Sequence, residues 1–372
     1  SLITERVPFE NYSEIYDNIG KGNSIASLLV YDAEKKNTDP KNVRITEPKN
    51  YIAGKPVLGV IGAGNFTSST ILPKLKASGA QIKSIASSKG LSGSIQAKKH
   101  SIENSTTDYK GILADSEINT VLVTTQHGSH AMFVSEALES DKHVFVEKPL
   151  STTWEGLERV ENAVEKSKGW VTVGFNRRFA PLALELKKRV SPAPMNIIAT
   201  MNAGFIPPEV WVHDLKAGGG RIIGEACHFI DLCTYFTGSK VIEVCMNAMG
   251  PVAQANTDNA SILLKYENGS NAVINYFSNG SKTYSKERIE VHQQNSTLVL
   301  DNWRKLTGFG VRSFKSKKSK QDKGHFNQFM LLLDSVEKAS GPTIPWNEVL
   351  NTSKATLAAV DSLIEGKWIS IK

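Results

Sequence analysis

A glycine-containing turn carries the first residues of the sequence that could do chemistry. The segment Gly62-Ala63-Gly64-Asn65-Phe66-Thr67 follows the apolar run 57–61 and precedes a segment with helical spacing. In this setting Gly62 permits a tight turn, and Gly64 lets a pyrophosphate approach the backbone at a helix N-terminus. The sequence therefore predicts that residues 62–66 bind a dinucleotide. A plain strand-to-helix turn is the alternative, because Thr67 stands where the dinucleotide fingerprint has Gly or Ala.

The next predicted strand lacks the acidic residue that NAD-selective folds place beside the ribose hydroxyls. From Gly59 through Ile102 the chain contains no Asp or Glu, and the strand ends in Ser87, Ser88 and Lys89. Small hydroxyls and a cation suit a 2′-phosphate, so the sequence favours NADP without excluding NAD. A solvated polar loop is the alternative interpretation of these three residues.

Two further polar segments each follow a predicted strand. They are Thr124-Thr125-Gln126-His127-Gly128-Ser129-His130, which opens a helix, and Glu147-Lys148-Pro149. The carboxyl ends of parallel strands meet at one edge of a sheet, where ligands bind. We therefore expect six side chains to face the cofactor: Thr124, Thr125, His127, His130, Glu147 and Lys148. A Lys-Pro pair is also a common structural stop for a strand.

The elements that must position these residues alternate between strand and helix as far as residue 175. Predicted strands are Val57 to Ile61, Gln81 to Ala86, Thr120 to Thr124, His143 to Val146 and Trp170 to Phe175, and predicted helices are Ser69 to Ser78, His130 to Ser140 and Trp154 to Lys166. This alternation predicts an α/β fold with a Rossmann-type, doubly wound parallel sheet over residues 55–175.

Beyond residue 176 the pattern changes to short alternating runs. They are Ser261 to Tyr266, Asn271 to Phe277, Arg288 to His292 and Ser296 to Leu300, followed by helices at Phe326 to Lys338 and Trp346 to Gly366. Asn268-Gly269 is a hairpin signal between the first two runs. Residues 176–372 are therefore predicted to form an α+β domain with an open, mostly antiparallel sheet that binds substrate and mediates oligomerisation.

Four motifs together resemble one protein family. They are residues 62–66, residues 124–130, His143-Val144-Phe145-Val146-Glu147-Lys148-Pro149-Leu150 and Gly174-Phe175-Asn176-Arg177-Arg178-Phe179. From about Lys55 to the C-terminus the chain resembles the glucose-fructose oxidoreductase / inositol dehydrogenase (Gfo/Idh/MocA) family, with Glu147-Lys148-Pro149 as the most specific element. The resemblance implies that Lys148 contacts both nicotinamide and a substrate hydroxyl. It also implies a homodimer or homotetramer packed through the open sheet.

The segment Gly218-Gly219-Gly220-Arg221-Ile222-Ile223-Gly224-Glu225-Ala226-Cys227-His228-Phe229-Ile230-Asp231 is similar to the glycine run of this family. In the family that run leads to a helix with an Asp and, four residues later, a His, which can act as a proton-handling pair on one helical face. This chain keeps His228 but has Gly224 at the Asp position. Glu225 lies about 100° away around an ideal helix, so it is a substitute only if the helix start is irregular. A core histidine is the alternative for His228.

The resemblance predicts reversible hydride transfer between C4 of a nicotinamide and a carbinol or carbonyl carbon of a sugar, sugar derivative or cyclitol. His228 is then the candidate acid/base, with Glu225 as its possible partner, and Lys148 polarises the reacting oxygen. Five residues are weaker candidates for substrate hydroxyls: Asn176, Arg177, Trp211, His213 and Arg221. The alternatives are a redox-assisted NAD-dependent glycosidase and a non-catalytic, dinucleotide-responsive regulator. Retention of both Lys148 and His228 favours catalysis.

Composition agrees with a small-molecule enzyme. The chain has 372 residues, 40% of them hydrophobic, and no apolar run long enough to span a bilayer. The net charge of +7 suggests nucleic acid, an anionic substrate or no special partner. Much of the excess lies in Lys315, Lys317, Lys318, Lys320 and Lys323, which we interpret as a solvated loop. No aromatic residues interleave these lysines, so a nucleic-acid partner is not expected.

The cysteines indicate neither disulfides nor a metal. Cys227, Cys233 and Cys245 are odd in number and close in sequence, which favours a reducing cytoplasm. Cys227 and Cys233 lack the paired short spacing of zinc ligands, so we expect no metal site.

Residues 1–54 read as a separate extension. Tyr12 to Ile19 could form a helix and Ser27 to Tyr31 a strand, before a polar, turn-rich stretch from Lys35 to Asn50. The apolar positions between residues 2 and 31 resemble the C-terminal end of zinc-type medium-chain alcohol dehydrogenases. If that resemblance holds, the chain is the C-terminal part of a fusion.

Overall fold

The computed structural model describes residues 2–12, 14–15, 25–31, 41–52, 54–252 and 254–371. The chain divides into two compact units, residues 1–43 and 44–372. The first unit contains the parallel strands β1 (Glu5–Pro8) and β2 (Ser27–Val30). The helix predicted from Tyr12 to Ile19 lies partly outside the described residues. Fusion to an alcohol dehydrogenase and the boundaries at 54/55 and 175/176 stay predictions.

The first sheet of the second unit is parallel throughout its described pairs. After strand β3 (Asn42–Arg44), which spans the boundary between the units, its strands are β4 (Val57–Ile61), β5 (Gln81–Ala86), β6 (Asn104–Thr106), β7 (Thr120–Val123), β8 (His143–Val146) and β9 (Val171–Val173). Strands β4 to β9 lie in the order β6-β5-β4-β7-β8-β9. The chain order reverses between β4 and β7, and this switch point is where doubly wound sheets bind ligands.

Helices connect these strands as parallel pairing requires. They are α1 (Leu72–Ala77), α2 (Leu91–His100), α3 (Tyr109–Ala114), α4 (His130–Glu139) and α5 (Trp154–Lys166). Strands β4, β7 and β8 are almost wholly apolar because helices cover both faces of such a sheet. The helix predicted from Ser69 instead begins as a π-helical turn at Thr67–Ile71. Pro73, in the first turn of α1, has no backbone N–H for the regular ladder.

The second sheet confirms the mostly antiparallel prediction. Following α6 (Pro181–Lys187), its strands are β10 (Asn196–Asn202), β11 (Val241–Ala248), β12 (Asn259–Tyr266), β13 (Asn271–Phe277), β14 (Glu287–Gln293), β15 (Ser296–Asp301), β16 (Lys305–Phe309), β17 (Ser316–Lys318) and β18 (Ile369–Ser370). Their order is β17-β16-β15-β14-β10-β13-β12-β11-β18, and the pair β10–β13 is parallel. The hairpin at Asn268-Gly269 joins β12 to β13.

One face of this sheet packs against helices. The helices of this half are α7 (Cys227–Thr237), α8 (His325–Glu337) and α9 (Trp346–Glu365). Ile262 and Leu264 are buried in the same core as α7 and α9. Val273 and Asn275 lie on the opposite face, half-exposed. Ile262 and Leu264 therefore share a face with Ile274 and not with Val273, because strand β13 pairs with β12 so that Ile274 is opposite Ile262.

The lysine-rich segment is only partly a solvated loop. Lys317 and Lys318 belong to strand β17, which pairs with β16 at the sheet edge. Lys323 is half-buried, and its ammonium donates to the Glu287 carboxylate at 2.6 Å. The solvated-loop interpretation is therefore wrong for Lys323, because a single buried acceptor outweighs the polar composition of the segment around it.

Candidate active site

A cavity of about 390 Å³ lies where the carboxyl ends of β4, β7 and β8 face the second sheet. It gathers side chains from segments that are far apart in the sequence. They are Phe66, Thr124, Thr125, His127, His130, Glu147, Lys148, Asn176, Arg177, Met201, Trp211, Val212, Glu225, His228, Lys286, Glu287, Lys323 and His325. A wider open groove of about 700 Å³ lies on the other side of the Trp211–His213 turn, and predicted substrate residue His213 lines that groove instead.

The glycine turn fits the backbone approach that a dinucleotide needs. Gly62 has a φ of 114°, and a Cβ there would lie 2.7 Å from the carbonyl carbon of Thr124. A Cβ on Gly64 would meet no atom within 4 Å, so the space beside its backbone is open. Thr67, the departure from the fingerprint, donates from its hydroxyl to Thr124 Oγ1 at 2.9 Å and ties the ends of β4 and β7 together.

The residues proposed to select the 2′-phosphate lie after the neighbouring strand β5. Ser87 Oγ accepts a hydrogen bond from the backbone N–H of Gly93 at 3.0 Å, which fixes the start of α2. Ser88 and Lys89 are exposed. They do not line the central cavity, in keeping with a contact to the far end of a dinucleotide.

Lys148 lies at the centre of the cavity wall. It follows β8, and its peptide bond to Pro149 is cis. Its ammonium donates to the carbonyl oxygen of Gly224 at 2.6 Å, which links the two sheets across the site. His130 supports the same loop, since its two ring nitrogens lie 2.7 and 3.1 Å from the carbonyl oxygens of Pro149 and Thr125. His130 is therefore occupied with backbone, and direct cofactor binding through its ring is not what the geometry supports.

His127 explains why a glycine occupies the position of the family's Asp. Its Nδ1 lies 2.8 Å from the Gly218 carbonyl oxygen, and a Cβ on Gly224 would lie 2.8 Å from its Cε1. A side chain at 224 would displace this imidazole. Burial, with the charge of Lys148, lowers the pKa of His127 to about 3, so the ring is neutral.

Glu225 lies at an irregular helix start, which is the condition under which it could substitute for the missing Asp. Residues Ile222–Ala226 form a π-helical turn rather than a regular helix start, and Glu225 lines the cavity. Its carboxylate accepts from Arg221 Nε at 3.1 Å. Burial acts to raise the pKa of Glu225, but the positive charges of Lys148 and Arg221 lower it overall, so the group is a carboxylate.

His228 is buried at the start of α7, and one of its ring nitrogens, Nδ1, makes no hydrogen bond within the described residues. Burial and the charges of Arg177 and Lys148 hold its pKa well below the ordinary histidine value. The neutral side chain also lines the cavity, where it is available to a ligand hydroxyl. It is not a core histidine satisfied by its surroundings.

Sequence reasoning named Arg177 as a candidate but missed Glu287, its partner on the far wall of the cavity. Glu287 is fully buried and accepts from Arg177 Nε and Nη2 at 2.8 and 2.9 Å, from Lys323 Nζ at 2.6 Å and from Trp303 Nε1 at 2.7 Å. Together these charges lower the pKa of Glu287 despite burial, which acts to raise it. This cluster has no sequence motif, because the fold brings its members together from segments that are far apart in the sequence.

Of the remaining predicted substrate residues, Trp211 and Asn176 line the cavity, whereas Arg221 lies behind its wall. Trp211 lines the cavity and packs edge-on against His127, with ring centroids 4.9 Å apart. Asn176 lines it too, and its Nδ2 donates to the Lys323 carbonyl oxygen at 2.7 Å. Arg221 lies behind Glu225, fully buried, and donates to the Gly204 carbonyl oxygen at 2.8 Å. Arg221 does not line the cavity, so a direct substrate contact was the wrong expectation for it.

Comparison with known proteins decides the family. A model described as "Oxidoreductase family, NAD-binding Rossmann fold" matches residues 57–175, and a "GFO/IDH/MocA C-terminal domain" model matches residues 194–299. Together they match more than half of the chain. The chain belongs to the Gfo/Idh/MocA family. It is an oxidoreductase with an NAD-binding Rossmann domain, and residues 62–66 lie in that matched domain of this family member.

Relatives and solved structures agree with this placement. An "Uncharacterized oxidoreductase YrbE" of Bacillus subtilis is 28% identical over 333 residues, covering 85% of this chain and 96% of its own. An "Inositol 2-dehydrogenase" of Rhizobium meliloti is 24% identical, covering 70% of this chain and 83% of its own. An oxidoreductase domain protein from Kribbella flavida has the same fold, with a TM-score of 0.76, 19% identity and coverage of 86% and 99%. A levoglucosan dehydrogenase in complex with NADH and levoglucosan has a TM-score of 0.73 at 19% identity, covering 85% of this chain and 99% of its own.

Two features are absent from the described residues of this family member. None of its described helices is both long and apolar enough to cross a membrane. The same residues hold no group of three or more His, Cys, Asp or Glu side chains arranged to bind a metal ion.

Proposed function

We propose that this family member transfers a hydride reversibly between NAD or NADP and a hydroxyl or carbonyl carbon of a sugar, sugar derivative or cyclitol. The observation that carries the proposal is the meeting of Lys148, Glu225 and His228 on one small polar cavity beside the dinucleotide turn. Relatives named inositol 2-dehydrogenase and levoglucosan dehydrogenase support polyhydroxylated substrates.

The residues divide the chemistry among them. The dinucleotide, when bound, supplies the hydride acceptor or donor at its nicotinamide ring. The Lys148 ammonium is placed to donate to the reacting oxygen and to stabilise negative charge that develops on it. The neutral imidazole of His228 accepts the hydroxyl proton during oxidation and returns it during reduction. Glu225, held as a carboxylate by Arg221, balances the charge of Lys148, whose ammonium is oriented by the Gly224 carbonyl oxygen.

Three single substitutions test these roles. We expect Lys148→Ala and His228→Ala each to lower kcat by about two to four orders of magnitude while dinucleotide affinity changes little. Glu225→Gln should lower kcat by about tenfold to a hundredfold if Glu225 has replaced the missing Asp. The matched controls are Lys110→Ala and His292→Ala, which lie outside the cavity. Near-normal turnover in both Lys148→Ala and His228→Ala would refute the site, whereas equal loss of dinucleotide binding would indicate misfolding.

We also propose that the family member self-associates through the outer face of the second sheet. Ile198, Val273 and Leu263 lie side by side on strands β10, β13 and β12 and form an apolar row on that face. Ile198 and Leu263 are about two-fifths exposed. Since apolar rows of this kind commonly mark interfaces, a dimer or tetramer is expected by light scattering at micromolar concentration. A monodisperse monomer, or an unchanged oligomer in Leu263→Lys, would contradict this surface.

A further inference from the structure

The far wall of the cavity holds more positive than negative charge. Arg177 and Lys323 both donate to Glu287, so two cations share one carboxylate. All of these groups line the cavity. Glu287 also accepts from Trp303, which leaves its two oxygens with four donors between them. The carboxylate is therefore saturated, and about one positive charge is left without an internal partner.

Lys286, next to Glu287 at the start of β14, adds to this excess. Its side chain lines the cavity, and no ion-pair partner for it occurs in the part of the chain that the structure describes. Its charge is felt inside the site, since burial and the charges of Arg177 and Lys286 lower the pKa of Lys323 against the pull of Glu287. Like charges so close together favour an anion between or beside them.

The other ionisable groups around the cavity do not cancel this charge. Burial, followed by Arg177 and Lys323, lowers the pKa of His325 to about 4, so this ring is neutral. On the opposite wall, the cations Lys148 and Arg221 are matched by the carboxylates Glu225 and Asp258, the latter 3.4 Å from Arg221 Nη1. Burial raises the pKa of Glu147 to about 7, so it carries only part of a negative charge near neutral pH. The excess is therefore local to the wall formed by Lys286, Lys323 and Arg177.

From this arrangement we propose that the preferred substrate is an anionic sugar derivative whose carboxylate is held by Lys286 and Lys323. Its reacting hydroxyl then faces Lys148 and His228 across the cavity. The inference rests on the proposed function and narrows its substrate class. We commit to a carboxylate because its two oxygens can each accept from one ammonium, that of Lys286 and that of Lys323. A neutral sugar would leave the excess positive charge of this wall, carried by the exposed Lys286 and the half-buried Lys323, without an anionic partner.

Matched substrate pairs test the inference on the full chain with NAD and NADP. Glucose and glucuronate differ at C6 only, as do galactose and galacturonate, and glucose 6-phosphate distinguishes a phosphate from a carboxylate. We expect kcat/KM to be at least about tenfold higher for the uronate of each pair, and the advantage to shrink with added salt. Lys286→Met should remove most of that advantage and most of its dependence on salt, chiefly through a higher KM for the uronate. Lys282→Met, an exposed lysine outside the cavity, is the control and should alter neither.

The possible failures are distinguishable. If neutral sugars are turned over as well as or better than uronates, the anionic substrate is wrong and the proposed function stands. If phosphate esters outperform uronates, the carboxylate assignment is wrong. If none of these sugars, uronates and phosphate esters is oxidised, the binding affinities of glucuronate and glucose for the dinucleotide-loaded protein, measured by calorimetry, test the inference. Tighter binding of glucuronate that is lost in Lys286→Met supports the inference, and equal binding of the two overturns it.

Discussion

The two walls of the cavity are built in different ways. The near wall is formed by the loops 124–130 and 147–149, which follow strands β7 and β8, so the order of the strands already brings its side chains together, although Lys148 and His127 also bond to the 218–224 segment. The far wall is held by contacts over long sequence separations, as in the pair Arg177–Glu287. On the near wall, substitutions should therefore affect ligands more than folding. On the far wall they should affect folding as much as ligands, because its charges satisfy one another.

The strongest test of this difference is Glu287→Gln. The amide cannot balance Arg177 and Lys323, so two cations are left buried together. Breaking a buried ion pair from one side costs about 3–5 kcal/mol, and we expect a loss of that size in the free energy of unfolding at pH 7. Urea denaturation followed by circular dichroism measures it. As a control, Glu243→Gln removes the exposed partner of Lys265 and should cost less than about 1 kcal/mol.

The pH dependence sharpens the same test. The pKa of Glu287 is lowered in the folded protein, so its stabilising effect is present at neutral pH and is lost as the pH falls below the ordinary glutamate range. The gap in stability between wild type and Glu287→Gln should therefore narrow on acidification. A gap that stays constant from neutral pH to pH 4 or below would mean that the far wall does not depend on this charge.

A smaller effect of opposite sign is expected on the near wall. Burial against Gly174 raises the pKa of Glu147 to about 7, although Lys148 and Arg177 act to lower it. A raised carboxyl pKa stabilises the fold below the unfolded-state value near 4.5 and loses that contribution as the pH rises through about 7. Glu147→Gln should therefore be more stable than wild type above pH 8, by about 1–2 kcal/mol after allowance for partial exposure.

The measurement is thermal unfolding of the dinucleotide-free protein across this pH range. The stability difference between wild type and Glu147→Gln should be smallest below about pH 4.5, grow as the pH rises to about 7 and stay constant above that value. If Glu147→Gln is less stable than wild type at pH 8, the carboxylate is stabilised by its neighbours and the near wall resembles the far wall after all.

The contrast between the walls also explains what the sequence could predict. Lys148 and residues 62–66 follow strands whose apolar runs are unmistakable, so their place at the switch point could be inferred from order alone. Family resemblance led to His228. The cluster around Glu287 could not be found in this way, because Lys323 sits in a lysine-rich segment that looks solvated. Its buried partner comes from a different strand.

Glu225 shows a second limit of sequence reasoning. An ideal helix places it about 100° from the required face, and only the π-helical turn at Ile222–Ala226 brings it into the cavity. Single π turns of this kind occur often at functional sites but have no clear sequence signature. Likewise, Gly224 packs against His127, and the ring of His127 is held by the carbonyl oxygen of Gly218, 91 residues away in the sequence.

The smallest expected effect lies outside both walls, at the end of strand β5. Lys89 is exposed, and in the described part of the chain it has no ion-pair partner, so it is available to a 2′-phosphate. Because exposed charge pairs are worth about 1 kcal/mol or less, Lys89→Ala should weaken NADP binding by less than about tenfold and leave NAD binding unchanged. Fluorescence titration of both dinucleotides measures the ratio. Lys99→Ala, near the C-terminal end of the following helix α2, is the matched control and should not alter it. A strong NAD preference in the wild type that survives Lys89→Ala would show that the missing acid between residues 59 and 102 does not select NADP. In that case the serine hydroxyls after β5 would be sufficient to hold the ribose diol, and the near wall would work with either dinucleotide.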